Sequence, residues 1–211
     1  MMPRHEEGFV SRLVATIARW WSVPQAQQQP HVMVDIETLG TQPGSVILSI
    51  GAVIFDPRII AGESILQKFY AVVNTDSCKH IGLSVDPSTV AWWEQQSPEA
   101  RTVLSMASSS ETSQDVRLAL HHFAKFIPEN ALVWSNGANF DQPLLDVAYN
   151  RCGQKLPWKY FNSRCYRTVK GMCENEKALR TANDLKHDAL ADAVFQAQHL
   201  IAMAQSGGLT I

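Results

Sequence analysis

The chain has 211 residues, with 45% hydrophobic and 18% charged side chains and a formal net charge of −2. This composition is typical of a soluble globular domain that can bury a sizeable core, and it excludes a disordered or low-complexity chain. The balance of charge argues against a broad basic surface for tight or processive nucleic-acid binding. The 4 cysteines show neither a CxxC pair nor zinc-ligand spacing, which favours free thiols in a reducing cytoplasm.

Residues 1–29 are predicted to form an extension that precedes the main domain. The segment GFVSRLVATIARWW has apolar residues at helical spacing, with Arg12 and Arg19 on the other side, and QAQQQP follows as a link. The segment is too short and too interrupted to span a membrane, and no signal-peptide cleavage pattern is present. We expect this helix to pack on the main domain or on a second subunit, with a partner contact and a weak interfacial helix as alternatives.

The apolar run HVMVDI predicts a strand buried on both faces, with two acids near its end. Asp35 and Glu37 are two positions apart, so their side chains project from the same face of a strand. One cation could therefore contact both; the alternative is a polar turn with both acids solvated. A Thr/Gly/Pro turn and a second apolar strand follow, which predicts a hairpin, and QKFYAVV predicts a third strand.

Two amphipathic helical patterns come next, in DPSTVAWWEQQSPEARTVLS and TSQDVRLALHHFAKFI, the first of them interrupted near Pro98. A further apolar strand, ALVWSN, then leads through a turn to Asp141. Pro143 near the start and Gly153 after the end predict a helix that begins at about Asp141. The alternative to a ligand role for Asp141 is an acid that caps this helix or matches its dipole.

The last predicted helix, HDALADAVFQAQHLIAMAQ, contains His187 and Asp192 and is closed by Gly207 and Gly208. Five positions correspond to about 140° around an ideal helix, so the two side chains would not share a face of one helix. We therefore expect His187 in the first turn or the preceding loop and Asp192 inside the helix. The alternative for His187 is an exposed loop histidine.

Four carboxylates and one histidine, spread over three segments, are the groups that two-metal phosphodiester hydrolysis requires. Two hard cations roughly 3.5–4 Å apart can stabilise both the attacking and the leaving oxygen. Mg²⁺ prefers a few carboxylates together with water and phosphate oxygens. A histidine can take the proton from the attacking water.

The motifs DIET, N-x₃-FD and H-x₄-D resemble the three-motif pattern of the DEDDh 3′→5′ exonucleases, which have the ribonuclease H-like fold. The longer strings VDIETLGTQPGSVILSIGAVIFDP and VWSNGANFDQPLL are similar to the branch with phage exonuclease A-like, exonuclease VIII-type and small mycobacterial-type exoribonuclease domains. The similarity runs from about His31 to Met203. It implies an α+β (α/β) fold with a mixed sheet of about five strands flanked by helices, as the element order also predicts. The exonuclease domain would span residues 30–205, followed by a tail over 206–211.

The resemblance implies a metal-dependent 3′→5′ exonuclease that releases nucleoside 5′-monophosphates from single-stranded DNA or RNA with a free 3′ end. Two Mg²⁺ or Mn²⁺ ions would be held by four ligands, and His187 would be the general base. These ligands are Asp35, Glu37, Asp141 and Asp192. The alternatives are a phosphoesterase on small nucleotides or dinucleotides with the same metal site, and a catalytically silent nucleic-acid-binding module. A cytoplasmic protein of a bacterial cell, phage or mobile element is expected, and a homodimer stays open.

Substrate contacts are predicted from basic and aromatic residues around these motifs. Arg164 and Arg167 are three apart, so on a helix they share a face that could hold phosphates; the alternative is a solvated basic face. Of the adjacent Trp92 and Trp93, at most one faces the core, and the other could stack on a base. Leu39 could wedge against the terminal base, as the residue after this motif does in similar enzymes. The predicted substrate-binding residues are Thr38, Leu39, Trp93, Asn136, Phe140, Arg164, Arg167 and Lys186.

Overall fold

The computed structural model describes residues 29–59, 64–173 and 187–206. The predictions for the N-terminal helix, for Lys186 and for the final residues 207–211 lie outside these ranges. The described strands are β1 (His31–Thr38), β2 (Ile47–Phe55), β3 (Ile65–Val72), β4 (Leu132–Ser135) and β5 (Ser163–Cys165). The described helices are α1 (Thr75–His80), α2 (Pro87–Glu94), α3 (Pro98–Ser108), α4 (Val116–Phe126), α5 (Asp141–Arg151), α6 (Tyr166–Met172) and α7 (Ala189–Gln205). No helix within the described ranges is long and apolar enough to cross a membrane.

The strands form one mixed sheet in the order β3-β2-β1-β4-β5. β1 and β2 pair antiparallel, as do β2 and β3, whereas β4 pairs parallel with both β1 and β5. The predicted hairpin and third strand are therefore confirmed, and so is the α+β (α/β) ribonuclease H-like architecture with a mixed sheet of five strands. Because β1, β4 and β5 are parallel, their carboxyl ends meet at the same edge of the sheet.

The two faces of the sheet bury two separate apolar clusters. Val34 and Ile36 of β1 point into the larger cluster, which is covered by α3, α4 and α5, among other elements. Met33 points into the smaller cluster, which is covered by α6 and α7. Since side chains alternate along a strand, Asp35 and Glu37 share the face of Met33, which is the face that α7 covers.

Gly51 of β2 allows α7 to approach the sheet at its first turn. A Cβ atom at Gly51 would lie 2.2 Å from the carbonyl carbon of Ala189 and from the backbone nitrogen of Leu190. Real Cβ atoms do not tolerate such contacts with backbone, so a larger residue at this position would push the helix away. Gly51 is paired with Asp35 on β1. The glycine therefore brings the start of α7 next to the acids of β1.

One local prediction differs from the structure, and two short elements have no counterpart in the predictions. Arg164 lies in β5 and Arg167 in α6, so the expectation that they share one helix face was wrong. The strand β5 was not predicted because 3 residues show no periodicity. The helix α1 was missed as well, although the Asn74 side chain accepts hydrogen bonds from two N–H groups of its first turn.

Candidate active site

Three carboxylates converge where the end of β1 meets the first turns of α7. Oxygen atoms of Asp35, Glu37 and Asp192 all lie within 4.8 Å of one another. Glu37 and Asp192 are each only 8% exposed, and Asp35 is half-buried. Asp35 and Glu37 come from alternate positions of β1, and Asp192 comes from α7, which Gly51 holds close to the sheet. The sequence spacing had predicted the shared face of the first two acids.

Asp141 lines the same cavity but stands outside this group of three. It is the first residue of α5 and is 2% exposed. Its Oδ1 accepts a hydrogen bond of 3.3 Å from the backbone N–H of Ile36, the residue between the two acids of β1. The preceding Phe140 makes no side-chain cap on this helix. Asp141 is thus both a first-turn acid and a fourth carboxylate beside β1.

Burial of these acids raises the free energy of their charged forms. Burial, followed by the neighbouring Asp141 and Asp188 carboxylates, raises the pKa of Glu37 to about 8. Burial also raises the pKa of Asp141, against the lowering effect of two backbone N–H groups and of Arg167. A divalent cation would restore the ionised forms by supplying the missing positive charge. Clustered carboxylate oxygens are the donors that hard divalent cations prefer, so the residues fit such an ion.

His187 immediately precedes the α7 N-cap residue, as predicted. The Asp188 side chain caps the helix by accepting a hydrogen bond of 2.8 Å from the N–H of Ala191. The backbone N–H of His187 donates to Oδ2 of Asp192 over 3.1 Å. The histidine ring makes an edge-to-face contact with Trp92, with 4.8 Å between the ring centroids. His187 and Asp192 are therefore joined through the backbone of the helix entry, although their positions do not share a helix face.

Gln196 is a site residue that the sequence analysis missed. Its Nε2 donates a hydrogen bond of 2.8 Å to Oδ1 of Asp35, and the side chain is 3% exposed. Its Oε1 is buried and has no hydrogen-bond partner among the described residues. Gln196 lies four positions after Asp192, so both face the same way from α7. That spacing was the signal in the sequence that could have identified it.

The four acids surround a cavity of about 410 Å³, the acidic cavity. Its other lining residues are Ile36, Asn136, Phe140, Tyr166, Arg167, Lys170, His187, Phe195 and Gln196. Arg167 and Lys170 are three positions apart on α6 and add two cationic side chains to the lining of the cavity. Arg167 is oriented by a hydrogen bond of 2.8 Å from Nη2 to the carbonyl of Asn136. The cavity therefore presents carboxylates and cationic side chains to one bound molecule.

A second cavity of about 430 Å³, the tryptophan cavity, lies beside it. It shares Ile36, Glu37 and Phe140 with the acidic cavity. Its remaining lining residues are Thr38, Thr41, Ser88, Thr89, Trp92 and Trp93. The lining thus combines aromatic rings with hydroxyl groups, which suits a flat ring system with a polar edge.

Four predicted substrate contacts line these cavities, namely Thr38, Asn136, Phe140 and Arg167. Trp93 also lines the tryptophan cavity, but it is 1% exposed and donates from Nε1 to the carbonyl of Thr38 over 2.9 Å. Its neighbour Trp92 is 41% exposed, so Trp92 is the tryptophan that a base could reach. The identity of the exposed tryptophan thus differs from the prediction, because α2 docks on β1 through Trp93.

Leu39 and Arg164 are not among the residues that line either cavity. Leu39 is buried in the larger core cluster, and its N–H donates to the carbonyl of Val46 over 2.9 Å. This packing differs from the expected wedge against a base. Arg164 donates from Nη1 to the carbonyls of Phe161 and Ser163, over 2.8 and 3.0 Å. The Leu39 side chain therefore packs in the core, and the Arg164 guanidinium binds nearby backbone carbonyls.

Comparison with known proteins assigns the chain to a family. Residues 30–204 match the 3′-5′ exoribonuclease Rv2179c-like domain. The exodeoxyribonuclease of Enterobacteria phage T4 is 24% identical over 163 residues, which cover 64% of this chain and 68% of the phage protein.

Two solved structures have the same fold. The nuclease domain of 3′hExo, a DEDDh family member bound to rAMP, matches with a TM-score of 0.58 and 10% identity, over 86% of this chain and 94% of that one. Exonuclease X in complex with 5′-overhanging duplex DNA matches with a TM-score of 0.52 and 16% identity, over 85% and 93% of the two chains. The chain belongs to the 3′-5′ exoribonuclease Rv2179c-like family and is a 3′→5′ exonuclease.

Proposed function

We propose that the acidic cavity hydrolyses the last phosphodiester bond at a free 3′ end of single-stranded RNA or DNA and releases a nucleoside 5′-monophosphate. The observation that carries this proposal is the convergence of Asp35, Glu37 and Asp192 within 4.8 Å, next to His187 and a fourth buried acid. A cleft with this donor set and a neighbouring histidine suits hydrolysis of a phosphate ester.

The four carboxylates would hold two divalent cations, Mg²⁺ or Mn²⁺. Asp35, Glu37 and Asp192 supply one compact set of oxygens, and Asp141 supplies a further carboxylate from the start of α5, beside β1. When bound, such ions supply positive charge that stabilises the attacking and the leaving oxygen. Gln196 donates to one oxygen of Asp35, which fixes the orientation of that carboxylate.

His187 is the group that we assign as general base. His187 lines the acidic cavity, and its backbone N–H donates a hydrogen bond to Asp192. In this position a ring nitrogen can take the proton from the attacking water, while the carboxylates stay engaged with cations. A general base that is positioned in this way contributes roughly 10²–10⁴-fold to the rate.

The nucleic acid would lie across both cavities. Arg167 and Lys170 line the acidic cavity from α6 and would hold the backbone phosphate next to the scissile bond. The tryptophan cavity would take the terminal nucleoside, with Trp92 as the exposed ring for stacking. Hydroxyl groups of that cavity, such as Thr41 and Ser88, are the partners available to a ribose 2′-hydroxyl. We propose both RNA and DNA as substrates.

The test is a time course with 5′-labelled single-stranded RNA and DNA of matched sequence, with Mg²⁺, Mn²⁺ or EDTA. We expect a ladder that shortens one nucleotide at a time, is abolished by EDTA, and ranks the two substrates. The variant Asp192→Asn should be inactive, and Asp115→Asn is its control, because Asp115 is an exposed N-cap residue of α4. If neither the RNA nor the DNA shortened in any metal, the result would contradict the proposal.

Chain length separates the exonuclease from a phosphoesterase on dinucleotides, which needs only the same metal site. Because Arg167 and Lys170 add cationic side chains to the acidic cavity, where they could contact further backbone phosphates, we expect oligomers of several nucleotides to react faster than dinucleotides. A rate that falls with every added nucleotide would favour the small-substrate enzyme instead. Binding of the oligomers without turnover in Mn²⁺ would indicate a silent binding module.

Two further predictions concern the setting of the protein. All 4 cysteines are free thiols in the structure, which supports the proposed reducing cytoplasm of a bacterial cell or of a cell carrying a phage or mobile element.

A homodimer also stays a prediction. Light scattering of the purified full chain would measure its mass directly, and a mass of one chain would contradict the dimer.

A further inference from the structure

His187 adopts a backbone conformation that most residues avoid. Its φ is +64°, in the left-handed region, and Asn130 is the only other non-glycine residue with positive φ within the described ranges. Such a conformation is unfavourable for a residue with a side chain and persists only where surrounding contacts enforce it. Neighbouring groups must therefore hold the helix entry in this shape.

Two tryptophan side chains of α2 contact the His187 ring. The rings of Trp92 and His187 are 4.8 Å apart between centroids, at an interplanar angle of 87°. Trp93 reaches the same ring at 6.2 Å and 76°. Both distances and angles are those of edge-to-face pairs, which are directional contacts worth more than simple apolar burial. The imidazole is thereby fixed in plane as well as in position.

The tryptophan pair is itself fixed to the strand that carries the acids. Trp93 is 1% exposed and donates from Nε1 to the carbonyl of Thr38, the residue after Glu37. Trp92 packs edge-on against Trp93, with 5.2 Å between centroids and an angle of 76°. A continuous series of contacts therefore runs from the end of β1 through both indoles to the His187 ring.

We propose that Trp92 is a positioning residue that holds the imidazole of His187 over the acidic cavity at a fixed distance from the acids of β1. The inference deepens the proposed function, because it depends on His187 acting as the general base. A general base must lie within about 2.6–3.2 Å of the oxygen whose proton it takes. A misplacement of about 1 Å can lower a rate by about 10²-fold. Trp92 would thus set the rate of the chemical step as well as contact the terminal base.

Substitution of Trp92 is expected to slow the cleavage step itself more than it weakens substrate binding. Trp92→Ala should lower the single-turnover cleavage rate by roughly 10–100-fold at saturating substrate. Trp92→Phe, which keeps an aromatic ring next to the imidazole, should restore most of that rate. A change confined to KM, with an unchanged saturating rate, would mean that Trp92 only stacks on the base, and it would overturn the inference.

The decisive experiment is a double-mutant cycle on the full chain with 5′-labelled RNA and Mn²⁺. We would measure single-turnover rates for wild type, Trp92→Ala, His187→Ala and the double variant. If Trp92 acts through His187, the double variant should be as slow as His187→Ala alone, because effects of residues that act as a unit do not add. Effects that multiply would show that Trp92 acts independently, and they would overturn the inference.

The same cycle separates failure of this inference from failure of the proposed function. A His187→Ala variant with the wild-type rate would overturn both, whereas a slow His187→Ala with multiplying effects would overturn the role of Trp92 alone. Tyr160→Ala is the control, because Tyr160 is an aromatic residue that is 85% exposed and precedes β5 at the opposite end of the strand from the cavity. If Trp92→Ala does not fold by circular dichroism, Trp92→Leu takes its place in the cycle.

Discussion

The acidic cavity and the tryptophan cavity have nearly the same volume, about 410 and 430 Å³, but opposite chemistry. One is lined by carboxylates, a histidine and two cationic side chains, and the other by aromatic rings and hydroxyl groups. They share Ile36, Glu37 and Phe140 as a common wall. A substrate that occupies both would therefore have its scissile phosphate on one side of this wall and its terminal nucleoside on the other.

The difference follows from the elements that build each cavity. The acidic cavity lies where β1 meets the start of α7, with α5 and α6 beside it. The tryptophan cavity lies between the end of β1 and α2. The helix α2 contributes none of the three clustered acids, Asp35, Glu37 and Asp192. We therefore expect substitutions in the acidic cavity to change the rate of chemistry, and those in the tryptophan cavity to change substrate affinity. Trp92 is the expected exception, since its ring touches His187.

The largest effect is expected from Asp35→Asn. Asp35 belongs to the acidic cluster of Asp35, Glu37 and Asp192 and accepts a hydrogen bond from Gln196, so the substitution removes one carboxylate, a proposed metal ligand, without changing the volume. Loss of several kcal/mol of transition-state stabilisation corresponds to a rate loss of roughly 10³-fold or more. Measurement of kcat and KM on 5′-labelled RNA would check this, and near-normal activity would show that the cluster is not the catalytic centre.

His187→Ala should slow turnover by roughly 10²–10⁴-fold, because the substitution would remove the proposed general base. Its effect should fall on kcat, and the affinity for Mn²⁺ should stay close to that of the wild type, since His187 is outside the acidic cluster. A Mn²⁺ titration of the variant would test the assignment. A loss of metal affinity as large as that of an acid variant would identify His187 as a ligand instead.

Gln196→Leu should weaken metal binding by about 10–100-fold, the usual size for a residue that orients a ligand. The reason is the hydrogen bond from Nε2 to Asp35, which the apolar side chain cannot make. Activity should recover at high metal concentration. A variant of a residue that binds the metal directly should not recover in this way. Gln198→Leu is the matched control, because Gln198 is exposed on the same helix.

Arg167→Ala should have the smallest effect, a few-fold rise in KM with kcat nearly unchanged, because it would remove one proposed phosphate contact. The slope of log affinity against log salt should become shallower by about 0.7 for a single strand. The exposed Lys125→Ala on α4 is the control. An unchanged slope for Arg167→Ala would mean that the arginine contacts no phosphate and only donates a hydrogen bond to the carbonyl of Asn136.

The two cavities also differ in how far the sequence predicts them. Asp35 and Glu37 follow from the period of a strand, and the place of His187 before a helix follows from its spacing to Asp192. These are local patterns, and the structure agrees with them. The contact between Gln196 and Asp35 joins residues 161 positions apart, and no single local pattern specifies it.

The tryptophan cavity depends on docking between elements, which the sequence does not determine alone. Either tryptophan of α2 could have faced the core, and the hydrogen bond from Trp93 to Thr38 is what selects it. Leu39 is drawn into the core because the chain after β1 folds back and pairs with Val46. A residue-type argument therefore identifies aromatic candidates, while tertiary packing decides which one is exposed.

The most direct test of the account is Mn²⁺ binding to the metal-free full chain, followed by electron paramagnetic resonance. Wild type should bind Mn²⁺ at the acidic cluster with an affinity that the double variant Asp35→Asn/Asp192→Asn loses, while both proteins keep the same circular dichroism spectrum. The Asp115→Asn control should bind as wild type does. Equal binding by wild type and the double variant would contradict the central claim that these carboxylates hold the catalytic metal.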